Sequence, residues 1–130
     1  MQCFELRKNI FGKRILIKIL NDPVIHMILS DELRLYAGFG IEEQPDITVE
    51  IGYELDISNG LLAANPKNHM EFDDGFAIDY GFYIIRWRFS NGLPQKIFLS
   101  YKKTGRLETF FQKMISIQYP VTYTHLTLPT

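Results

Sequence analysis

The sequence predicts an α+β domain in which an antiparallel, strongly bent β-sheet with a meander core is covered by a C-terminal amphipathic helix. Three observations carry that expectation. Between His69 and Tyr101 apolar residues alternate with others and are interrupted by glycine-containing turns. Between Leu107 and Ile115 they recur at helical spacing instead. The chain has 130 residues, 46% hydrophobic and 14% aromatic, enough for one core and one domain.

Residues 4–8 alternate weakly and form a first strand. Residues 14–20 form a better one, with Ile15, Ile17 and Ile19 on one face, and Asn21-Asp22-Pro23 ends it. Residues 24–36 leave two readings open. One is a short strand over 24–29, and the other is one or two helical turns from Ser30 through Leu33 and Tyr36 to Gly38. Ile47, Val49 and Ile51 alternate with Thr48 and Glu50, a half-buried strand. Residues 54–68 read as a loop with a short strand at 61–63.

The meander can be worked out from parity, because side chains alternate faces along a strand. Met70, Phe72, Phe76, Ile78 and Tyr80 are all even. A three-residue loop Asp73-Asp74-Gly75, with Gly75 left-handed, would preserve that parity and set Phe72 against Phe76 and Met70 against Ile78. Tyr83, Ile85, Trp87 and Phe89 are odd, as are Ile97, Leu99 and Tyr101. A second three-residue loop, Ser90-Asn91-Gly92, would set Phe89 against Leu93, Ile85 against Ile97 and Tyr83 against Leu99. The change of parity at Gly81 predicts a β-bulge, so that 76–89 is one bent strand.

Leu107, Phe110, Phe111, Met114 and Ile115 make the covering helix, which the pattern lays over the meander around Trp87. Burying those five side chains would contribute on the order of 10 kcal/mol before entropy. Residues 1–120 read as one domain, and 121–130 as a non-native or disordered tail. The closing Tyr-Thr-His-Leu-Thr-Leu-Pro-Thr resembles translated sequencing-adapter read-through, which implies a natural protein that continues past Pro120.

Composition excludes several function classes. A formal net charge of -1 gives no electrostatic reason for nucleic acid or an anionic membrane as partner. The single cysteine, Cys3, permits neither an internal disulfide nor a multi-cysteine zinc site, and suits a reducing cytoplasm. No apolar run approaches the roughly 20 residues of a membrane-spanning helix, and no secretion signal is legible.

The chemistry-bearing motifs fail one by one. Gly38-Phe39-Gly40 has Glu43 where a dinucleotide loop needs its third glycine, and Gly12-Lys13 is followed by Arg14 where a phosphate loop needs Ser or Thr. Ser90, Ser100 and Cys3 have no sequence-local base. His26, His69 and His125 are far apart, and His69, Glu71 and Asp73 read as a solvated acidic strand end. The sequence therefore predicts no catalytic, cofactor-binding or metal site. What remains is basic. Arg86 and Arg88 share the face opposite Trp87, where they pair with acids such as Asp79 or meet an anionic partner. Lys102, Lys103 and Arg106 flank Gly105 just before the expected helix, as a solvated loop or a phosphate contact. These five are the candidate anion or partner contacts.

From Ile47 to Gln118 the chain resembles the N-terminal, non-catalytic region of bacterial HPr-serine-kinase-like proteins. The resemblance is carried by Asp46-Ile47-Thr48-Val49-Glu50, by Phe72-Asp73-Asp74-Gly75, by residues 82–89, and by the amphipathic stretch followed by Ile117-Gln118. It implies an accessory domain that positions or couples to a protein substrate, with the catalytic core missing from this chain. Two other expectations compete with it. One is a stand-alone interaction module using a sheet edge or the surface around Arg86 and Arg88. The other is a small hydrolase, which requires His69 and Asp73 to meet in a concave pocket.

Overall fold

A computed structural model describes residues 2–65 and 68–102. The chain opens with a hairpin of β1 (Cys3–Ile10) and β2 (Lys13–Leu20), joined at Phe11-Gly12. Both turn residues have positive φ, 51° and 77°, the backbone of a type I′ turn whose twist matches the strands. Gly12 is thus a turn residue.

Asn21-Asp22-Pro23 does more than stop β2. It starts α1 (Pro23–Glu32): Asp22 caps the helix by accepting from the Ile25 backbone N–H at 3.0 Å, and Pro23 occupies the first turn. Ile25, Leu29 and Leu33, spaced four apart, are buried. Residues 24–32 are therefore helical, and the Asp-Pro pair is the signal that decides it. The other Asp22 oxygen accepts from the Tyr101 hydroxyl at 2.6 Å, tying the helix start to the last strand. Burial, then this contact and the Asp22 charge, raise the Tyr101 pKa well above the phenol range. Asp22→Ala should cost about 2–3 kcal/mol in urea unfolding, since it removes a cap and a charge-assisted bond together.

The remaining strands are β3 (Ile47–Tyr53), β4 (Leu61–Asn65), β5 (His69–Phe72), β6 (Gly75–Asp79), β7 (Tyr83–Ser90) and β8 (Leu93–Tyr101). They form one eight-stranded sheet in the order β1-β2-β3-β8-β7-β6-β5-β4. β3 is parallel to both of its neighbours, β2 and β8. The predicted fold class is corrected on this point: the sheet is mixed, not antiparallel. The described chain is nearly all-β, with α1 its one helix. The expected helix over 107–115, and with it a C-terminal cover for the sheet, is not part of the described fold; those residues, and the 121–130 tail, lie outside the described residues.

One face carries the main core. Ile15, Ile17, Ile19, Ile47, Val49, Ile51, Tyr83, Ile85, Trp87, Ile97, Leu99 and Tyr101 are buried there together with the α1 side chains. The expected faces of 14–20, 47–51, 83–89 and 97–101 are all found. The turns between them differ. Asn91-Gly92 is a two-residue turn with φ of 55° and 78°, and an irregularity at Arg88/Phe89 then shifts the pairing to Trp87 with Ile97, Ile85 with Leu99 and Tyr83 with Tyr101. The face is preserved and the partners move by two residues.

Gly81 is not a bulge in one long strand. It lies, with φ 98°, in the hairpin between β6 and β7, where Asp79 accepts from its N–H at 2.8 Å. Pairing of Phe76 with Trp87 and Ile78 with Ile85 puts even residues opposite odd ones, which explains the parity change. The first turn also differs: Phe72 pairs with Gly75 across Asp73-Asp74, and Met70 with Ala77. Phe72 therefore faces away from Phe76. The reason is a second small core on the other face, where Leu55 and Ile57 of the loop after β3 meet Phe72, Ala77, Met70, Ile84 and Phe98. Apolar residues lie on both faces of the sheet here, Met70, Phe72 and Ala77 on one and Phe76 and Ile78 on the other, so alternation alone could not assign them.

Candidate functional site

The second face holds the candidate site, and its centre is the Asp73-Asp74 turn. Arg86 and Arg88 alternate along β7 and so project from the same face. Asp74 reaches both. Its Oδ1 accepts from Arg86 Nη2 at 3.1 Å and its Oδ2 from Arg88 Nε at 2.8 Å, while its carbonyl accepts from the Phe89 N–H at 2.7 Å.

Arg86 is only 6% exposed. Its Nη1 donates to the carbonyls of Ile57 and Asn59 at 3.0 and 2.8 Å, and its guanidinium lies 3.8 Å from the Phe72 ring centroid. One cation thus ties the 55–60 segment, the β5–β6 turn and β7 together. The carboxylate, two carbonyls and the aromatic face offset the desolvation of its charge. Arg86 Nε is buried and, among the described residues, has no hydrogen-bond acceptor.

Asp74 feels opposing effects. Burial pushes its carboxyl up, but hydrogen bonds from Arg86 and Arg88 and their charges outweigh it, leaving the pKa below the usual carboxylate value. A depressed folded-state pKa means that the stabilisation is complete above the unfolded-state pKa and is lost as pH falls through the folded value. Stability should therefore drop on acidification below about pH 4, and Asp74→Asn should be less stable at neutral pH with a shallower acid dependence. Denaturant midpoints between pH 7 and pH 2.5 measure both.

Two depressions flank the Asp74–Arg88 pair. One, of about 300 Å³, lies between the 56–60 segment and β7 and takes in Asp56, Asp73, Arg86 and Phe98. The other, of about 490 Å³, extends across β7, β8, β3 and β2 and takes in Arg88, Lys96, Thr48, Lys18, Gln95 and Ser90. Asp74 and Arg88 border both.

The predicted contact residues separate. Arg86 and Arg88 meet at Asp74. Lys102 pairs with Asp79 at 3.2 Å, at the opposite end of β6 from that turn. Asp79, the acid expected beside the arginines, is therefore occupied elsewhere. Lys103 and Arg106 lie outside the described residues. His69 bonds Glu71 at 3.1 Å and stacks on Phe76, whereas Asp73 borders the smaller depression on the other face, so the pair required by the hydrolase reading is not assembled. His26 stacks on Phe4, and Ser100 Oγ donates to the Leu55 carbonyl. His125 lies outside the described residues.

Three residues of this face, Asp74, Lys18 and Lys96, do not stand out in the sequence. Asp74 looks like an ordinary turn residue there, and the two lysines like polar positions next to buried isoleucines, Lys18 between Ile17 and Ile19 and Lys96 before Ile97, although that same spacing places them on the second face. Among the described residues no three His, Cys, Asp or Glu side chains gather as a metal site, and no helix is long and apolar enough to cross a membrane. No family model, curated protein or solved structure matches the chain.

Proposed function

We propose that the chain is a non-catalytic accessory domain of a kinase-like bacterial protein, which positions or couples to a protein substrate for a catalytic core encoded beyond this sequence. The observation that supports it is the use made of Arg86. A buried cation is committed to bracing a loop and a turn against β7, and this holds the charged part of the second face in a fixed shape suited to presenting a contact surface. A reducing, cytoplasmic setting belongs to the same proposal, with Cys3 exposed and free.

A stand-alone interaction module is the second reading, favoured by β4. This edge strand carries no charge, and Leu61 and Leu62 on it are exposed, features that suit pairing with an added strand. Sequencing the source gene past codon 120 separates the two. A continuous frame containing a glycine-rich phosphate loop supports the accessory domain, and an in-frame stop shortly after codon 120 rules it out.

A further inference from the structure

We infer that the larger depression on the second face is an oxyanion site, in which a phosphate- or carboxylate-type group is held between Arg88 and Lys96 with Lys18 at its far side. Arg88 and Lys96 are direct partners in the register of β7 and β8, so two cations face each other on one side of the sheet. Like charges opposite one another weaken a strand pair. Their counter-ions relieve this only in part: Asp74 is shared with Arg86, and Glu50 stands 4.0 Å from Lys96, at the limit of an ion pair.

The Arg88 side chain is held through Nε yet remains 46% exposed, so it is oriented without being covered. Asp46, also beside this depression, is engaged by Arg14 through the backbone N–H at 2.8 Å and the guanidinium at 3.7 Å. Cations therefore outnumber carboxylates here, although the whole chain is formally -1. Thr48, Ser90 and Gln95 add neutral donors. The smaller depression is the poorer choice for an anion, since Asp56, Asp73 and Asp74 border it and Arg86, the one cation it does not share with the larger depression, is already committed. At about 490 Å³ the larger one has room for an oxyanion and for the body that carries it. An anion bridging Arg88 and Lys96 converts their repulsion into two charge-assisted contacts.

This site goes beyond the accessory-domain reading and is independent of any sequence past codon 120. Its test is an amide and arginine-Nε NMR titration of the 130-residue chain with sodium phosphate and, separately, sodium citrate, at pH 7 and constant ionic strength set with chloride. Shifts confined to Arg88, Gln95, Lys96 and Thr48 are expected. Response to phosphate alone assigns a tetrahedral anion, and response to citrate assigns carboxylates. Lys96→Gln should weaken binding about tenfold or more while raising the melting temperature in anion-free buffer, because the repulsion is gone. Lys18→Gln should weaken binding by less, and Lys102→Gln, at the far end of the ribbon, should leave it unchanged. Shifts spread over all basic residues, no response to either anion, or wild-type binding by both Lys96→Gln and Lys18→Gln would overturn the site.

Discussion

Gly75→Ala is expected to cost roughly 3 kcal/mol or more, among the largest effects of any single methyl group added to the described chain. Gly75 pairs with Phe72 on one side and Arg88 on the other, and its φ is not left-handed, so the turn does not demand glycine. Space does. A Cβ at this position overlaps the carbonyl oxygen of Trp87, a backbone atom in the β6–β7 pairing that no rotamer change can move aside. The methyl group therefore forces β6 away from β7 and disturbs the Asp74 contacts one residue earlier. Urea unfolding by circular dichroism measures the loss, and faster hydrogen exchange on β5 and β6 than on β2 and β3 should show where it falls. A change below about 1 kcal/mol would contradict the close approach.

Arg86→Met is expected to cost about 3 kcal/mol. Methionine keeps much of the side-chain length and can still lie on Phe72, so the comparison isolates the guanidinium. Its removal leaves the Ile57 and Asn59 carbonyls without their donor and takes one of two cations from Asp74. Breaking a buried pair from one side typically costs about 3–5 kcal/mol, and the lower end applies because Asp74 is partly exposed and retains Arg88. The second variant in the cycle is Asp74→Asn. If the two groups act together, the double variant should lose clearly less than the sum of the singles. The 55–60 segment should also become cleavable by protease, whereas Lys102→Gln should leave it protected. Strict additivity would show that Arg86 braces the loop without Asp74.

Local spacing is a good guide to which side of a strand each residue occupies. Ile15, Ile17, Ile19, Ile47, Val49 and Ile51 are all within 2% of full burial, as the recurrence of β-branched residues at every second position predicts. Tyr83, Ile85, Trp87, Ile97, Leu99 and Tyr101 likewise share one face, even though the predicted turn is a residue too long. A two-residue turn and a local irregularity add up to the same parity. The prediction fails at β5 and β6, where Leu55 and Ile57 arrive from a loop some 15 residues earlier in the chain and make the second face apolar as well. With apolar residues on both faces, parity carries no information about which one is the core.

The candidate site is legible only in part. That Arg86 and Arg88 share a face follows from their spacing. That Asp74 joins them, that Arg86 is buried, and that Lys96 stands opposite Arg88 do not follow from it.

What could be read from the chain alone was local: the strands over 14–20, 47–51, 83–89 and 97–101 and the side of each that is buried, and a chain reversal at 90–92, whereas the helix after Asp22 and the turn at Gly81 were not read. Tertiary structure decided which strands lie side by side, that β3 runs parallel between β2 and β8, and which charges meet. The physical reason is that alternation depends on the pleat of a single strand, while neighbours depend on how distant segments divide two apolar faces between them, and no fixed spacing along the chain encodes that division.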